Sequence, residues 1–283
     1  MKLYLIATGD YPEDEFLGRV RESLKGGVDW VQLRIKKQDK IKSLGKRLKR
    51  LKRDFPFVFI VNDYPDIAEE LQADGVHIGK NDPSLQEIRE KFQGIIGVSC
   101  YNDMERALKA ERNGADYVAF GSLFPTRTKE NYVLVRSATI KAARRRLKIP
   151  ICVIGGINRE NFLSVLSLDP DLIAISSAIF SAPDPAEEAA YFKEKMLYYL
   201  SLKAKGGKMK ENELKETLLR ENPEFKELYE KHREYERELE KLLSRRPLSP
   251  EEEVEVKKIK KLKLKIKDKM QEILVKEKER RIG

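Results

Sequence analysis

Histidine and cysteine are scarce in this sequence, and their scarcity excludes several kinds of catalytic site. The two histidines, His77 and His232, stand far apart, so neither a histidine-based triad nor a multi-histidine metal centre is expected. The two cysteines, Cys100 and Cys152, have neither metal-ligand spacing nor a visible base beside them. We expect both to be small core residues of a reduced, cytoplasmic protein, and His77 to be a hydrogen-bonded core residue.

Long apolar runs are also missing. No run approaches the roughly 18 residues that a membrane-spanning helix needs, so no membrane partner is expected. The opening stretch MKLYLIATGD has too short an apolar core for a signal peptide.

Charge is abundant but not concentrated in one region. Charged residues make up 37% of the chain, and the net charge is +10. Residues 204–283 carry 24 Lys and Arg against 19 Asp and Glu, and residues 1–203 carry 33 against 28. A nucleic-acid-binding protein is expected to collect its basic residues on one face. The even spread therefore favours small acidic ligands, and no specific nucleic acid is expected.

Short apolar runs alternate with amphipathic stretches as far as residue 200. The runs are continuous rather than alternating, which is typical of parallel strands buried on both faces. They are LYLIA (3–7), DWVQLRI (29–35), FVFIV (57–61), DGVHIG (74–79), IIGVSC (95–100), DYVAFGSLF (116–124), IPICVIG (149–155) and DLIAIS (171–176). Eight such units predict an α/β fold, a (β/α)₈ barrel, over residues 1–202. An open doubly wound sheet is the alternative, but no G-x-G-x-x-G follows the first run.

The composition changes near SLKAKGGKMK, where glycines and lysines predict a linker over residues 203–210. Beyond it, apolar residues at helical spacing predict an all-α helical hairpin over residues 211–283. Its turn contains RRPLSPEEE, with Ser249 as N-cap, Pro250 at the first helical position and Glu252 closing a capping box. Two helices bury little surface alone, so we expect the hairpin to pair with another copy or with a partner. A homo-oligomer could form through the barrel or the hairpin.

Polar residues recur where the predicted strands end, which is where such barrels carry their chemistry. Strand two ends in QLRIK, and alternation places Gln32, Arg34 and Lys36 on one side. The other strand ends supply Asn62, Asp63, Asp82, Ser99, the stretch FPTRTK with Thr126, Thr128 and Lys129, the pair Gly155 and Gly156, and the pair Ser176 and Ser177. Each group alone could be turn chemistry or a solvated edge. Their succession at six neighbouring strand ends favours one shared site.

These residues fall into two chemical sets. Asp63 and Asp82 are oxygen ligands too few to enclose an ion, which suits Mg²⁺ shared with phosphate oxygens. Arg34, Lys36 and Lys129 would neutralise the same phosphates. The hydroxyls and glycines of the second set match the phosphate site that these barrels build after strands seven and eight. The pattern predicts a diphosphate with Mg²⁺ beside a monophosphate, without a nucleophile or base between them.

In order, LYLIATGD, GGVDWVQLRIK, PFVFIVNDYPDIAEELQADGVHIGKND, IIGVSCYN, GADYVAFGSLFPTRTK, IPICVIGGIN and ISSAIF resemble the thiamine-phosphate synthase (ThiE/TenI) family over residues 1–195. That resemblance implies a transferase of thiamine biosynthesis that joins hydroxymethylpyrimidine diphosphate to thiazole phosphate and releases pyrophosphate by a dissociative, Mg²⁺-assisted substitution. It implies that the pyrimidine substrate is held by Gln32, Arg34, Lys36, Asn62 and Lys129, with Arg34, Lys36 and Lys129 catalytic. It places Mg²⁺ on Asp63 and Asp82. It places the thiazole phosphate near Ser99, Thr126, Thr128, Gly156, Ser176 and Ser177.

The sequence departs from the family pattern at Ile35, at Tyr101 and in ENYVLVRSATIK, which lacks the usual Pro/Gly-rich loop. Two other functions are considered beside the synthase. TenI-like thiazole tautomerases share the barrel, but their working histidine would fall at Tyr101, and they tend to lose the diphosphate residues kept here. A degenerate phosphate-binding barrel could instead serve as a scaffold for the hairpin. Residues 211–275 resemble YdcH-like helical hairpins, which implies an architecture but no activity.

Overall fold

The computed structural model describes residues 1–80, 82–126, 133–205, 211–244 and 249–282. Within these ranges the chain forms two compact units, residues 1–196 and 197–283. None of the described helices is both long and apolar enough to cross a membrane.

Eight parallel strands in the first unit close into a barrel in chain order, from β1 next to β2 around to β8 next to β1. The strands are β1 Lys2–Ala7, β2 Trp30–Leu33, β3 Val58–Asn62, β4 Gly75–Ile78, β5 Ile95–Tyr101, β6 Tyr117–Gly121, β7 Ile151–Ile154 and β8 Leu172–Ile175. Each lies within one of the eight apolar runs or within a residue or two of it. The predicted (β/α)₈ barrel is therefore confirmed, and the open sheet is excluded.

Helices follow every strand because each intervening stretch carries apolar residues at helical spacing. They are α1 Glu13–Lys25, α2 Gln38–Leu51, α3 Pro65–Glu70, α4 Leu85–Lys91, α5 Met104–Arg112, α6 Ser137–Arg146, α7 Phe162–Leu166, α8 Ser177–Phe180 and α9 Pro185–Lys205. Ser84 and Glu87 form the capping box expected before α4. Asp184 accepts two backbone N–H groups, from Ala186 and Glu187, at the start of α9.

At the amino-terminal end of the barrel, the aspartate just before each even-numbered strand hydrogen-bonds to the backbone of the preceding odd-numbered strand. We call this arrangement an aspartate clasp. In the first clasp, Asp29 donates its N–H to the Leu3 carbonyl at 2.9 Å and accepts the Leu3 N–H through Oδ2 at 2.8 Å. Lys193 completes this clasp with an ion pair of 2.6 Å to the same carboxylate. The other three clasps are Asp74 on Phe59 with Lys52, Asp116 on Ile96 with Arg89, and Asp171 on Ile151 with Arg144. Charge-assisted hydrogen bonds thus fix the strand register at the end away from the polar strand ends.

The second unit contains three helices, α10 Glu211–Glu221, α11 Pro223–Ser244 and α12 Pro250–Ile282. Ser249 and Glu252 exchange the two hydrogen bonds of the expected capping box. The sequence predicted only the two long helices. The additional helix, α10, contributes Leu214 and Leu218 to a cluster around the fully buried Phe225.

Candidate active site

A cavity of about 690 Å³ opens at the carboxyl ends of the strands, and all eight strands or the loops after them contribute to its wall. Ten of the predicted site residues line it: Gln32, Arg34, Asn62, Asp63, Asp82, Ser99, Thr126, Gly156, Ser176 and Ser177. Thr128 and Lys129 lie outside the described residues.

Lys36 departs from the predicted arrangement. Its side chain is exposed and does not line the cavity, whereas Gln32 and Arg34 do. Strand β2 ends at Leu33, and after the Arg34 N–H bonds to the Ala7 carbonyl at 2.9 Å the chain leaves the barrel ladder. The alternation that was extended to Lys36 therefore stops two residues earlier.

The carboxylates of Asp63 and Asp82 lie in hydrogen-bond contact on one side of the cavity. Asp63 adopts a φ of 68°, and its N–H donates to the His77 carbonyl at 2.9 Å, which ties the end of β3 to β4. Asp82 Oδ2 accepts the Gly79 N–H at 2.5 Å. Burial, followed by the adjacent charge of Asp82, raises the pKa of Asp63 to about 6, despite the opposing effects of Arg34 and Asn62. The protein therefore holds two carboxylates in contact at a partly buried position, which disfavours ionisation of both.

This pair fits a magnesium ion better than a fully protein-coordinated metal. Among the described residues, no group of three or more His, Cys, Asp or Glu side chains could hold a metal ion. Mg²⁺ keeps several waters and commonly takes only one or two carboxylates together with substrate phosphates. Asp63 and Asp82 supply that donor set beside Arg34, and the elevated pKa of Asp63 has the sign expected where a cation would compensate charge.

The Gly155–Gly156 turn follows β7 and forms part of the cavity wall on the side of the barrel opposite Asp63. The two residues have φ angles of 107° and 64°. A Cβ on Gly156 would lie 2.4 Å from the Pro125 carbonyl oxygen, and one on Gly155 would lie 2.0 Å from Ser122 Oγ. Glycine is thus required twice, by the backbone angle and by the close approach of the chain after β6.

Asn161 holds this glycine turn in place, and sequence reasoning missed it. Its buried side chain donates from Nδ2 to the Gly156 carbonyl at 2.9 Å and accepts the Asn158 N–H at 3.0 Å. Asn158 lines the cavity. The only signal in the sequence was an asparagine at a fixed offset after the glycine pair, which alone would be weak.

Ser176 and Ser177 lie where β8 leads into α8. The Ser176 hydroxyl donates to the Ile6 carbonyl at 3.0 Å and so ties β8 to β1. Ser177 is exposed at the first position of α8 and lines the cavity. The backbone of this turn, more than the Ser176 hydroxyl, is therefore available to a ligand.

A chain of buried polar side chains forms the floor of the cavity. Gln32 Nε2 lies 2.7 Å from Tyr4 Oη, which lies 3.0 Å from Tyr117 Oη. His77 bridges from Tyr117 Oη, 2.9 Å from Nδ1, to Ser99 Oγ, 2.9 Å from Nε2. The expectation that His77 is a hydrogen-bonded core residue is confirmed. Sequence reasoning missed Tyr4 and Tyr117, which look like ordinary strand residues until the barrel closes.

Arg106 braces the wall between β4 and β5. Its guanidinium donates to the Ser99 carbonyl at 2.7 Å and to the Gly79 carbonyl at 2.8 Å. It also lies 5.9 Å from the centroid of the Tyr101 ring, and Tyr101 lines the cavity. One arginine from α5 thus positions the strand ends that carry Ser99 and the Asp82 loop.

The cysteines are not activated. Both are buried as free thiols, and burial raises the pKa of Cys100 to about 12 and that of Cys152 above its usual range. Neither is suited to act as a thiolate near neutral pH.

A closed (β/α)₈ barrel with a polar cavity at the carboxyl ends of its strands has the architecture of an enzyme. A family model described as "Thiamine monophosphate synthase" matches residues 3–179, so the chain belongs to that family, whose enzymes are transferases. A second model, described as "Protein of unknown function (DUF465)", matches residues 225–274 in the helical hairpin.

Several known proteins resemble the barrel. The thiamine-phosphate synthase of Thermoplasma acidophilum is 40% identical over 200 residues, which cover 70% of this chain and 93% of the relative. That of Picrophilus torridus is 43% identical over 198 residues, which cover 69% and 96%. The structure of thiamine phosphate pyrophosphorylase from Pyrococcus furiosus superposes with a TM-score of 0.62 at 32% identity, over 70% of this chain and 96% of that one.

Proposed function

We propose that this chain joins hydroxymethylpyrimidine diphosphate to thiazole phosphate and releases pyrophosphate. The observation that carries the proposal is that two chemically different sets of residues line opposite sides of one cavity. The carboxylate pair and Arg34 lie at the ends of β2 to β4, and the glycine turn and Ser177 lie across the ring after β7 and β8. A reaction between two phosphorylated substrates needs such a division.

The diphosphate belongs on the carboxylate side. Asp63 and Asp82 would hold Mg²⁺, and Arg34 and Lys129 would neutralise the remaining charge. When bound there, the ion would supply positive charge to the diphosphate oxygens. Asn62 hydrogen-bonds Asp63 and orders the pair, and Gln32 presents its amide to the pyrimidine.

The monophosphate of the thiazole belongs on the glycine side. Gly156 brings backbone to the cavity wall without an intervening side chain, and Asn161 keeps it there. Thr126, Thr128 and Ser177 would add hydroxyl donors. A phosphate held by this turn would fix the thiazole ring at a set distance from the pyrimidine.

The residues support a substitution without a protein base. The bond between the pyrimidine methylene carbon and the diphosphate oxygen breaks, and its electron pair leaves with pyrophosphate. The thiazole nitrogen then donates its lone pair to form the new carbon–nitrogen bond. His77 is occupied at both ring nitrogens, and the Cys152 thiol keeps its proton, so the described floor contributes positioning and charge stabilisation.

The direct test is formation of thiamine phosphate and pyrophosphate from the two phosphorylated precursors with Mg²⁺. If the chain is a synthase, both products should form in equal amounts. Isomerisation of a thiazole phosphate without condensation would instead support the tautomerase, although Tyr101 occupies the position of its histidine. Binding of both precursors without either reaction would support the scaffold.

We expect the second unit to be dispensable for the chemistry. A chain ending at Lys205 keeps α9 whole and every cavity-lining residue that the structure describes. Its kcat and KM values should equal those of the full chain, measured by pyrophosphate release. A truncated barrel that lacks activity, although a cooperative thermal unfolding transition shows that it is folded, would contradict this expectation.

Substitutions at Thr128 and Lys129 should affect different substrates. Thr128→Ala should raise the KM for thiazole phosphate, because the lost hydrogen bond to a charged group weakens binding by about 1–3 kcal/mol. Lys129→Ala should mainly lower kcat, because its charge matters most as the diphosphate leaves. Steady-state kinetics with each substrate varied in turn separate the two effects.

Lys91→Ala provides the control, since Lys91 is exposed in the last turn of α4 and does not line the cavity. Equal losses toward both substrates in both variants would show that the segment has only a structural role.

A further inference from the structure

The polar chain on the cavity floor connects residues proposed for different parts of the site. Gln32 lies at one end and Ser99 at the other, and both line the cavity. Tyr4, Tyr117 and His77 lie between them, in four consecutive hydrogen bonds of 2.7, 3.0, 2.9 and 2.9 Å. We call these five side chains the floor relay.

The two phenols are held rigidly. The Tyr117 ring crosses the barrel over Gly97, where a Cβ would lie 2.0 Å from its Cζ atom. Trp30 packs edge-on against both tyrosine rings, with centroids 5.5 Å from Tyr4 and 5.6 Å from Tyr117. His77 stacks on Tyr117 at an interplanar angle of 26°. The two hydroxyl oxygens therefore cannot move toward other partners without displacing a packed ring.

Each phenol has one hydrogen to donate and few atoms that can accept it. Both tyrosines are 1% exposed, and burial raises the pKa of each well above its ordinary value, so both keep their protons. Among the described residues, the Tyr4 hydroxyl contacts only Gln32 and Tyr117, and the Tyr117 hydroxyl contacts only Tyr4 and His77. A buried hydroxyl without an acceptor destabilises the fold, because its lost hydrogen bond to water is not replaced.

For an imidazole that carries a single hydrogen, these limits leave two directions for the whole chain, and the position of Gln32 Nε2 beside Tyr4 Oη corresponds to the first. Gln32 Nε2 donates to Tyr4, so the Tyr4 hydrogen must go to Tyr117. The Tyr117 hydrogen must then go to His77 Nδ1, and the neutral imidazole carries its hydrogen on Nε2 and donates it to Ser99 Oγ. The Ser99 hydroxyl hydrogen is left to donate into the cavity, which Gln32 also lines.

The only other fully bonded arrangement reverses every step. If the Gln32 amide turned over, its oxygen would accept from Tyr4, and the series would run back to a Ser99 hydroxyl that donates to His77. Gln32 would then donate to the ligand and Ser99 would accept from it. Any mixed arrangement leaves one buried group unsatisfied.

We propose that Tyr4, Tyr117 and His77 are positioning residues that make Gln32 and Ser99 act as one recognition unit, polarised from Gln32 to Ser99. This inference rests on the proposed function. A phosphate oxygen or a ring nitrogen can only accept a hydrogen bond, so a substrate atom of that kind at Ser99 selects the forward polarity. The same polarity turns the Gln32 oxygen toward N–H donors of the other ligand group. Contacts at the two ends thus reinforce each other.

The tautomer of the His77 imidazole shows directly in which direction the hydrogen bonds of the floor relay donate. The chain has only two histidines, so nitrogen-correlated NMR of the ring protons resolves His77, with His77→Gln for assignment. We expect a single neutral tautomer with hydrogen on Nε2. In Tyr117→Phe the spectrum should show averaging between tautomers, because Nδ1 loses its donor. Hydrogen on Nδ1 in the unaltered protein, or a tautomer that Tyr117→Phe does not change, would overturn the proposal.

A kinetic cycle tests the coupling. In the unaltered background, Gln32→Ala and Ser99→Ala should be non-additive, with the double variant about tenfold better in kcat/KM than the product of the single losses predicts. In the Tyr117→Phe background the losses should simply multiply. Tyr4→Phe breaks a different link and should give the same result, which covers the case that Tyr117→Phe does not fold.

Ile60→Val is the control for packing, because Ile60 lies in the same buried cluster as both tyrosines but has no polar atom in the relay. It should preserve the non-additivity and the single tautomer. If Ile60→Val abolishes the non-additivity as well, general loosening explains the effect and the relay proposal is wrong. The NMR result does not depend on turnover, so failure of the relay and failure of the proposed reaction are distinguishable.

Discussion

Asp63→Asn and Asp82→Asn should each lower kcat by roughly 100-fold at a fixed Mg²⁺ concentration and raise the concentration needed for half-maximal rate, because one carboxylate supplies too little charge and too few ligands. Titration of the pyrophosphate-release rate with Mg²⁺ measures both effects. Asp66→Asn is the matched control, since Asp66 is an exposed carboxylate in α3 that does not line the cavity. Unaltered Mg²⁺ titrations in both site variants would remove the metal assignment.

The Mg²⁺ requirement should also depend on pH. Burial and the neighbouring Asp82 raise the pKa of Asp63 to about 6, so its proton competes with the ion as the pH falls toward that value. Mg²⁺ should therefore bind more weakly below pH 6 than above it, and Asp63→Asn should flatten this dependence. In the absence of metal, the stability of the fold should change with pH in the opposite direction to Mg²⁺ binding. A carboxyl whose folded-state pKa is raised makes the fold less stable as the pH rises from its unfolded value to its folded one.

Gly156→Ala should produce the second large effect, an increase of about tenfold or more in the KM for thiazole phosphate together with a lower melting temperature. The residue has a φ of 64°, where alanine costs about 1–2 kcal/mol. The added Cβ would lie 2.4 Å from the Pro125 carbonyl oxygen, so the chain after β6 must move. Steady-state kinetics and thermal unfolding measure the two consequences.

Gly18→Ala is a close control for this substitution. Gly18 lies within α1, and a Cβ there would meet nothing within 4 Å. Alanine should stabilise the protein by up to about 1 kcal/mol at that position, since it favours the helix. A Gly156→Ala protein with normal kinetics for thiazole phosphate would show that the turn does not form part of the phosphate site.

The barrel was predictable because each strand leaves a local signature. A continuous apolar run bounded by turn residues identifies a strand buried on both faces, and eight such runs leave few closed arrangements. The glycine pair after β7 was also predictable as a backbone feature, since few residues tolerate such turns. The prediction for the second unit was less complete. Helix α10 was missed because Leu214 and Leu218 are recognisable as core residues only once they pack on Phe225.

What the sequence could not reveal depends on contacts between distant strands. Tyr4 and Tyr117 are 113 positions apart, and nothing local marks either hydroxyl as a member of a relay. Asn161 acts on a turn five residues earlier through a side chain whose direction no periodicity predicts. Lys36 was misplaced for the converse reason, because a period of two was extended past the residue where β2 leaves the ladder.

The aspartate clasps repeat around the closed barrel, and the basic partner of each clasp is set by its position in the barrel rather than by its position in the sequence. Arg89 and Arg144 come from α4 and α6, the helices before β5 and β7, and Lys52 follows α2 just before β3. For Asp29, the corresponding contact comes from Lys193 of α9, which lies at the opposite end of the barrel sequence. The four strand pairs are thus equivalent modules in a closed cycle. A circularly permuted barrel that opens between two pairs, before β3 or β5, would keep every clasp, so the starting point of the polypeptide is not dictated by the forces that close it.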